Sequence, residues 1–244
     1  MSIKALILAA GRGARLGGLT EAVNKCMLNV QGRPLLEYSL TCAAQLPLIE
    51  EIVVVVGYHG EEIQAKYGSQ YQGKDLRYVR QENQAGLVQA IACAEEAIGS
   101  SDFMLMLGDE FMSNPHHEEF LNKFINSGVF GLCGVVKVND RSLIQKTYAV
   151  ILGQDGHIVR LIEKPARPEG NLMGTGNCIF RNQIFSYIPV TPINQKRQEK
   201  ELPDLIQCAV DEGHMIKSFL ICKDYVNVNS KEELDLTKSY FAHL

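Results

Sequence analysis

The chain has 244 residues, 46% hydrophobic and 21% charged, with a formal net charge of −4, which is the make-up of a globular protein long enough to bury a substantial core. This mildly acidic balance argues against a surface built for nucleic acid or anionic membrane, so positive charge that matters must be local to a site. No apolar run approaches the roughly 18 residues of a membrane span, Lys4 and a glycine-rich loop interrupt any signal-peptide pattern, and the seven cysteines are scattered without a CxxC; a cytoplasmic protein without disulfides or zinc is expected.

In chain order, the apolar run Ala5-Leu6-Ile7-Leu8 reads as a strand buried on both faces of a parallel sheet. It runs into Ala9-Ala10-Gly11-Arg12-Gly13-Ala14-Arg15, where small residues let consecutive N–H groups line one concavity of the kind that binds phosphate. Arg15, Arg12 and Lys25 add positive charge there. A P-loop is excluded because no Gly-Lys-Ser/Thr follows, and a dinucleotide fingerprint fails at Leu16, where its third glycine should stand.

The spacing from Leu8 through Lys25 does meet LxAGxGxRLxxLTxxxxK. Here the chain resembles the sugar-phosphate nucleotidyltransferases, also called nucleotide-sugar pyrophosphorylases. The resemblance implies that Leu8, Ala10, Gly11 and Gly13 contact a nucleoside triphosphate, with Arg15 and Lys25 as catalytic cations. One position departs, since the family usually has proline where Asn24 precedes the lysine.

Pro34 is expected in the first turn of a helix through Leu46, followed by a buried strand from Glu51 to Gly57. A polar helix from Glu61 to Tyr67, a strand from Leu76 to Val79, a helix from Val88 to Ile98 and a core strand from Phe103 to Leu107 follow. Strand–helix alternation predicts a mostly parallel, Rossmann-like sheet flanked by helices, an α/β fold with ligands at the carboxyl ends of the strands. Gln81 precedes Gly86 by five residues. A glutamine amide suits the edge of uracil or thymine, although a surface glutamine before a helix is the plainer reading; in pyrimidine-using members of the resembling family a glutamine holds this place. Asp109 ends the core strand in Leu-Gly-Asp, and its carboxylate is either a cap for a following helix or a ligand for Mg²⁺. The resemblance makes Asp109 a magnesium ligand and catalytic residue.

After residue 126 the pattern turns β-rich, so residues 1–126 are expected to form a nucleotide-binding half and residues 127–244 a sugar-phosphate-binding half of a single domain. A strand from Val129 to Val138 and a hairpin, Thr147 to Leu152 with His157 to Ile162 about an Asp155-Gly156 turn, lead to Glu163-Lys164-Pro165. Neighbours on a strand face opposite ways, so one of Glu163 and Lys164 is expected at a site and the other beside it. Residues alone leave a solvated hairpin end open; the resemblance puts Glu163 on sugar hydroxyls and Lys164 on the sugar phosphate, with Gly176 behind the sugar. Short helices from Asn182 and Glu201, and strands from Met215 and Tyr225, follow. Ser230 caps a last helix, with Glu233 at its capping-box position. Asn227 stands where much of the resembling family has a second magnesium-binding aspartate, with Asp224 in reserve, and His116-His117 read as a solvated helix start.

The resemblance therefore implies a Mg²⁺-dependent enzyme that joins UTP, dTTP or CTP to a sugar 1-phosphate and releases pyrophosphate. A transferase for a non-sugar phosphate such as phosphocholine, a non-catalytic nucleotide-binding relative and, more distantly, a dinucleotide oxidoreductase are the alternatives. The sequence leaves a homo-oligomer open.

Overall fold

A computed structural model describes residues 2–240. Ile3–Ala9 lies in the middle of the sheet, parallel to Ile49–Val56 on one side and Asp102–Leu107 on the other, and Lys74–Arg80 extends the parallel set beyond Ile49–Val56. Its side chains alternate between two cores, because a strand projects successive residues to opposite faces. Ile3, Ala5, Ile7 and Ala9 pack with Leu40 of helix Leu36–Gln45 and with Phe120 and Phe124 of helix His117–Ser127. Leu6 and Leu8 pack with Val88 and Ile91 of helix Leu87–Cys93 and with Leu205 and Ile206 of helix Leu202–Asp211. Each fully buried Leu, Ile or Phe here contributes on the order of 2 kcal/mol of burial, so the central strand is fixed from both sides.

The β-rich second half joins the same sheet. Leu172–Phe180 runs antiparallel to Asp102–Leu107 and to Gly131–Lys137, Tyr148–Leu152 and Ile158–Glu163 form the expected hairpin, and Ile216–Leu220 lies parallel to Gly131–Lys137. The register of Leu172–Phe180 shifts between Gly174 and Cys178. Thr175 closes this bulge by donating its hydroxyl to the Gly134 carbonyl, at 2.9 Å. Bulges re-aim a strand beside a site, and this one brings Gly176 under the cleft described below.

Several expectations change. Pro34 pairs in a short hairpin, Asn29–Val30 with Arg33–Pro34, and the helix starts at Leu36. The helix foreseen over Val88 to Ile98 is two pieces, Leu87–Cys93 and Glu95–Ile98, joined at Ala94. Glu110–Ser113 is a strand, paired antiparallel with Asp224–Asn227. The pairing that makes it comes from the far end of the chain, which no local pattern reveals. His117 is buried at 5% exposure and bonds Asn177 Oδ1 through Nε2 at 2.7 Å, so only His116 belongs to the solvated start.

A third apolar cluster ties the glycine loop to the two-stranded ribbon of Glu110–Ser113 and Asp224–Asn227. Leu16, Leu28, Val30 and Leu35 pack against Phe111, Val226, Val228 and Leu234. The loop and the ribbon are thus one packed unit at the carboxyl ends of the parallel strands.

Candidate active site

The loop after the first strand is shaped by two requirements. Gly13 is left-handed (φ 67°), and a Cβ on it would come within 2.9 Å of the Lys25 side chain, so only glycine fits. Beyond it the chain coils into a 3₁₀ stretch, Ala14–Thr20, whose last hydroxyl returns to the Gly13 carbonyl at 3.0 Å. Gly11 has open space where its Cβ would stand and faces the cleft.

Asn24 explains the departure from proline. Fully buried, it donates Nδ2 to the carbonyls of Ala9 (3.0 Å) and Tyr58 (2.6 Å), and its Oδ1 accepts from Cys26 N at 2.8 Å. It pins the turn that carries Lys25 to the ends of two sheet strands. Asn24→Ala removes the side-chain partner of the buried Ala9 carbonyl, of the part-buried Tyr58 carbonyl and of the Cys26 N–H, and it should lower unfolding stability by about 2 kcal/mol. The check is a shifted denaturant midpoint at unchanged slope; an unshifted midpoint would deny Asn24 this role.

Lys25, 6% exposed, reaches across the mouth of the loop to Asp109, Nζ to Oδ2 at 2.5 Å. The same ammonium donates to Asn229 Oδ1 at 2.9 Å, and Arg15 Nη2 donates to that oxygen at 2.8 Å. Asn227 comes alongside because it pairs with Glu110 in the two-stranded ribbon, and Val228 N donates to the Asp109 carbonyl at 2.9 Å. Asp224 sits at the opposite end of that ribbon, where its Oδ2 accepts from Ser113 Oγ at 2.8 Å, and does not line the cleft, so it is no reserve for Asn227.

Behind Asp109 lies Glu110, completely buried, which accepts from Gly176 N (2.8 Å), Asn177 Nδ2 (2.7 Å) and Tyr225 OH (2.5 Å). Burial, reinforced by the neighbouring Asp109 carboxylate, pushes its carboxyl up to about 7. Gly176 therefore spends its N–H on Glu110. Its place under the cleft rests on having no side chain, because a Cβ would fall 2.3 Å from Leu107.

The hairpin end differs from expectation. The strand stops at Glu163 and Lys164 is left-handed (φ 41°), so the two side chains meet, Nζ to Oε1 at 2.6 Å, and both line the cleft. Strand alternation does not apply to a residue past the strand. Opposite them, Arg197 draws in Glu201 (3.1 Å), Glu199 (3.3 Å) and Glu163 (3.5 Å). Burial together with the Glu163 charge holds the Glu201 carboxyl above its ordinary value.

One cleft of about 470 Å³ is lined by Leu8, Ala10, Gly11, Arg12, Gly13, Arg15, Lys25, Gln81, Gly86, Asp109, Glu163, Lys164, Gly176 and Asn227 of the residues singled out from the sequence, but not by Asn24 or Asp224. Glu110, Tyr148, Arg197, Glu199, Glu201, Tyr225 and Asn229 line it too and were missed, the first despite lying beside Asp109. At its base end Gln81 donates Nε2 to the Gly86 carbonyl (3.2 Å) and to Gln89 Oε1.

Comparison with known proteins now decides the family. A sequence profile described as nucleotidyl transferase matches residues 4–225. The chain belongs to the nucleotidyl transferase family. This nucleotidyl transferase is 34% identical over 236 residues to the UTP-glucose-1-phosphate uridylyltransferase AglF of Haloferax volcanii, covering 96% of this chain and 94% of that protein. It is 28% identical to a glucose-1-phosphate thymidylyltransferase of Streptomyces griseus, covering 96% of this chain but 65% of the relative. A crystal structure of UDP-glucose pyrophosphorylase with UDP-glucose superposes over the whole of both chains with a TM-score of 0.87 at 21% identity, a likeness of fold. The sugar-phosphate nucleotidyltransferase resemblance drawn from Leu8 to Lys25, and the α/β fold it implied, are borne out.

Proposed function

We propose that this nucleotidyl transferase joins a uridine or thymidine triphosphate to a sugar 1-phosphate, giving a nucleoside diphosphate sugar and pyrophosphate. The observation that carries the reading is the Lys25–Asp109 pair, closed at 2.5 Å across the mouth of the glycine loop, in one cleft with Glu163 and Lys164. An oxygen of the sugar phosphate attacks the α-phosphorus, and the bond to the pyrophosphate oxygen breaks. The attacking oxygen is already an anion at neutral pH, so no base is needed. What the chain must supply is alignment of two anions that repel each other, and positive charge where charge develops. In this reading Arg15 serves the triphosphate, Lys25 the α-phosphate and departing pyrophosphate, and Lys164 the incoming phosphate.

Asp109 and the Asn227 amide oxygen, both in the cleft lining, would hold Mg²⁺, an ion that takes one or two protein oxygens and completes its octahedron from phosphates and water. Among the described residues no group of three or more His, Cys, Asp or Glu could hold a metal. When bound, Mg²⁺ neutralises phosphate charge. All seven cysteines are free, in keeping with a cytoplasmic setting. No helix among the described residues is long and apolar enough to cross a membrane.

Gln81 narrows the base. With both Nε2 protons committed, it offers Oε1, an acceptor that meets the N3–H of uracil or thymine and opposes the unprotonated N3 of cytosine. Four triphosphates assayed against a panel of sugar 1-phosphates, glucose 1-phosphate first, should release pyrophosphate with UTP or dTTP at least about tenfold faster than with CTP, the discrimination expected of one mispaired buried polar group. Preference for CTP would overturn the base assignment, and no pyrophosphate from any pair would overturn the activity.

A further inference from the structure

Asn229 takes no part in the reading above, yet its amide is the junction of the cationic end of the cleft. Its Oδ1 accepts from Lys25 Nζ at 2.9 Å and from Arg15 Nη2 at 2.8 Å, while its Nδ2 donates to Asn227 Oδ1 at 2.6 Å. The amide can face only one way: two cations can only donate, so the oxygen must meet them and the NH₂ must meet the Asn227 oxygen. The backbone of Asn229 is fixed as well. Glu233 accepts from Asn229 N at 2.8 Å, one residue beyond the Ser230 N–H that a capping box would use, and its other oxygen takes Lys146 Nζ at 2.9 Å. Val228 just before it is fully buried and bonded to the Asp109 carbonyl.

Arg15 has an exposed, flexible side chain, and Asn229 is the partner that holds it at the mouth. Two like charges drawn onto one neutral oxygen repel each other, and Asp109 offsets only the Lys25 charge, so the pair keeps a net positive charge that a further anion would relieve. A triphosphate supplies that anion. Ordering the two cations beforehand removes an entropy cost that would otherwise fall on binding. An aspartate here would neutralise the pair instead, and an alanine would leave Arg15 unplaced.

We propose that Asn229 is a positioning residue whose carbonyl holds Arg15 and Lys25 together as a ready-made anion receptor for the triphosphate. The inference rests on the nucleotidyltransferase reading but is tested by binding, without turnover. Triphosphate affinity is measured by calorimetry with UTP for the wild-type chain, Asn229→Ala, Arg15→Ala and the double variant. Asn229→Ala should weaken UTP about tenfold, the scale for losing charge-assisted hydrogen bonds. In the Arg15→Ala background the same change should cost less than half that factor, because the residue acts through the arginine. Asn229→Asp, which keeps the size and both acceptor contacts, should weaken UTP at least as much as alanine does. In steady state the loss should fall on KM for UTP and leave KM for the sugar phosphate within about twofold.

A merely structural residue would give the opposite pattern: tolerance of aspartate, and an equal penalty in both arginine backgrounds. Either result overturns the proposal, as does UTP binding by Asn229→Ala within about twofold of wild type. Should alanine fail to fold, Asn229→Ser takes its place in the cycle. A chain that binds UTP yet releases no pyrophosphate sinks the catalytic reading and leaves this one standing; a wild-type chain that binds no triphosphate sinks both.

Discussion

Replacing Asp109 with asparagine should lower pyrophosphate release by about a hundredfold or more, the scale on which removal of one preorganised charge partner acts. Among the described residues its carboxylate is the only group of opposite charge bonded to Lys25 at the mouth of the glycine loop, and in the proposed reading it is the charged member of the oxygen pair that would hold a divalent cation. Asparagine keeps the shape and an oxygen but surrenders the charge, so Lys25 loses its counter-ion and the metal position loses its carboxylate together. Asp109→Ala goes further and leaves a lysine at 7% side-chain exposure with a neutral amide as its remaining bonded partner. An uncompensated buried charge costs about 3 to 5 kcal/mol, so alanine confounds loss of function with loss of fold. Asparagine should therefore separate the two, with turnover falling far more than the unfolding midpoint. The measurement is pyrophosphate release at saturating substrates beside a thermal melt; near-normal release by Asp109→Asn would remove Asp109 from the chemistry.

What made this site legible is the way phosphate has to be held. A backbone cradle needs small residues at fixed spacing, so Gly11, Gly13, Arg15 and Lys25 form a pattern within one stretch of chain. Asp109 and Gln81 could be placed because both follow core strands, and parallel strands deliver their ends to one side of a sheet. The residues that escaped are those brought by pairing between distant segments. Asn229 reaches Arg15 because Asp224–Asn227 pairs with Glu110–Ser113, and neither short strand has a periodicity of its own. Arg197, Glu199 and Glu201 lie in a charged run that reads as solvated surface until the hairpin carrying Glu163 is folded against it. Lys164 was misread for a different reason: alternation was extended one residue past the end of its strand. Asn24 departs from the family's usual proline, and three side-chain hydrogen bonds, two of them buried, give it a structural task. That leaves Asn227 as the remaining departure in the cleft lining, and an amide oxygen can serve as a Mg²⁺ ligand in the proposed reading.

Glu110 should prove the most costly side chain in the cleft wall to remove, and by an amount that depends on pH. Three donors converge on it, from Gly176, Asn177 and Tyr225, and Glu110→Ala leaves all of them without this acceptor in a largely buried part of the cleft wall. At about 1 kcal/mol or more for each orphaned donor, the variant should be less stable by about 3 kcal/mol at pH 5. The wild-type carboxyl is raised from 4.5 to about 7 by burial and by Asp109, so the folded state holds its proton more tightly than the unfolded state does. The stability tied to that proton is fully present below pH 4.5 and is lost as pH climbs through 7. A shift of this size corresponds to roughly 3 kcal/mol. Alanine has no proton to lose, so its stability lacks that slope, and the gap between the two proteins should shrink between pH 5 and pH 8. His117, whose affinity for a proton is lowered by burial, tilts stability the other way, but it is present in both proteins and cancels in the difference. Guanidinium unfolding of both at the two pH values reads the effect. A gap that is constant or widens toward pH 8 would mean that Glu110 is ionised throughout, held so by its three donors and no longer opposed by its burial.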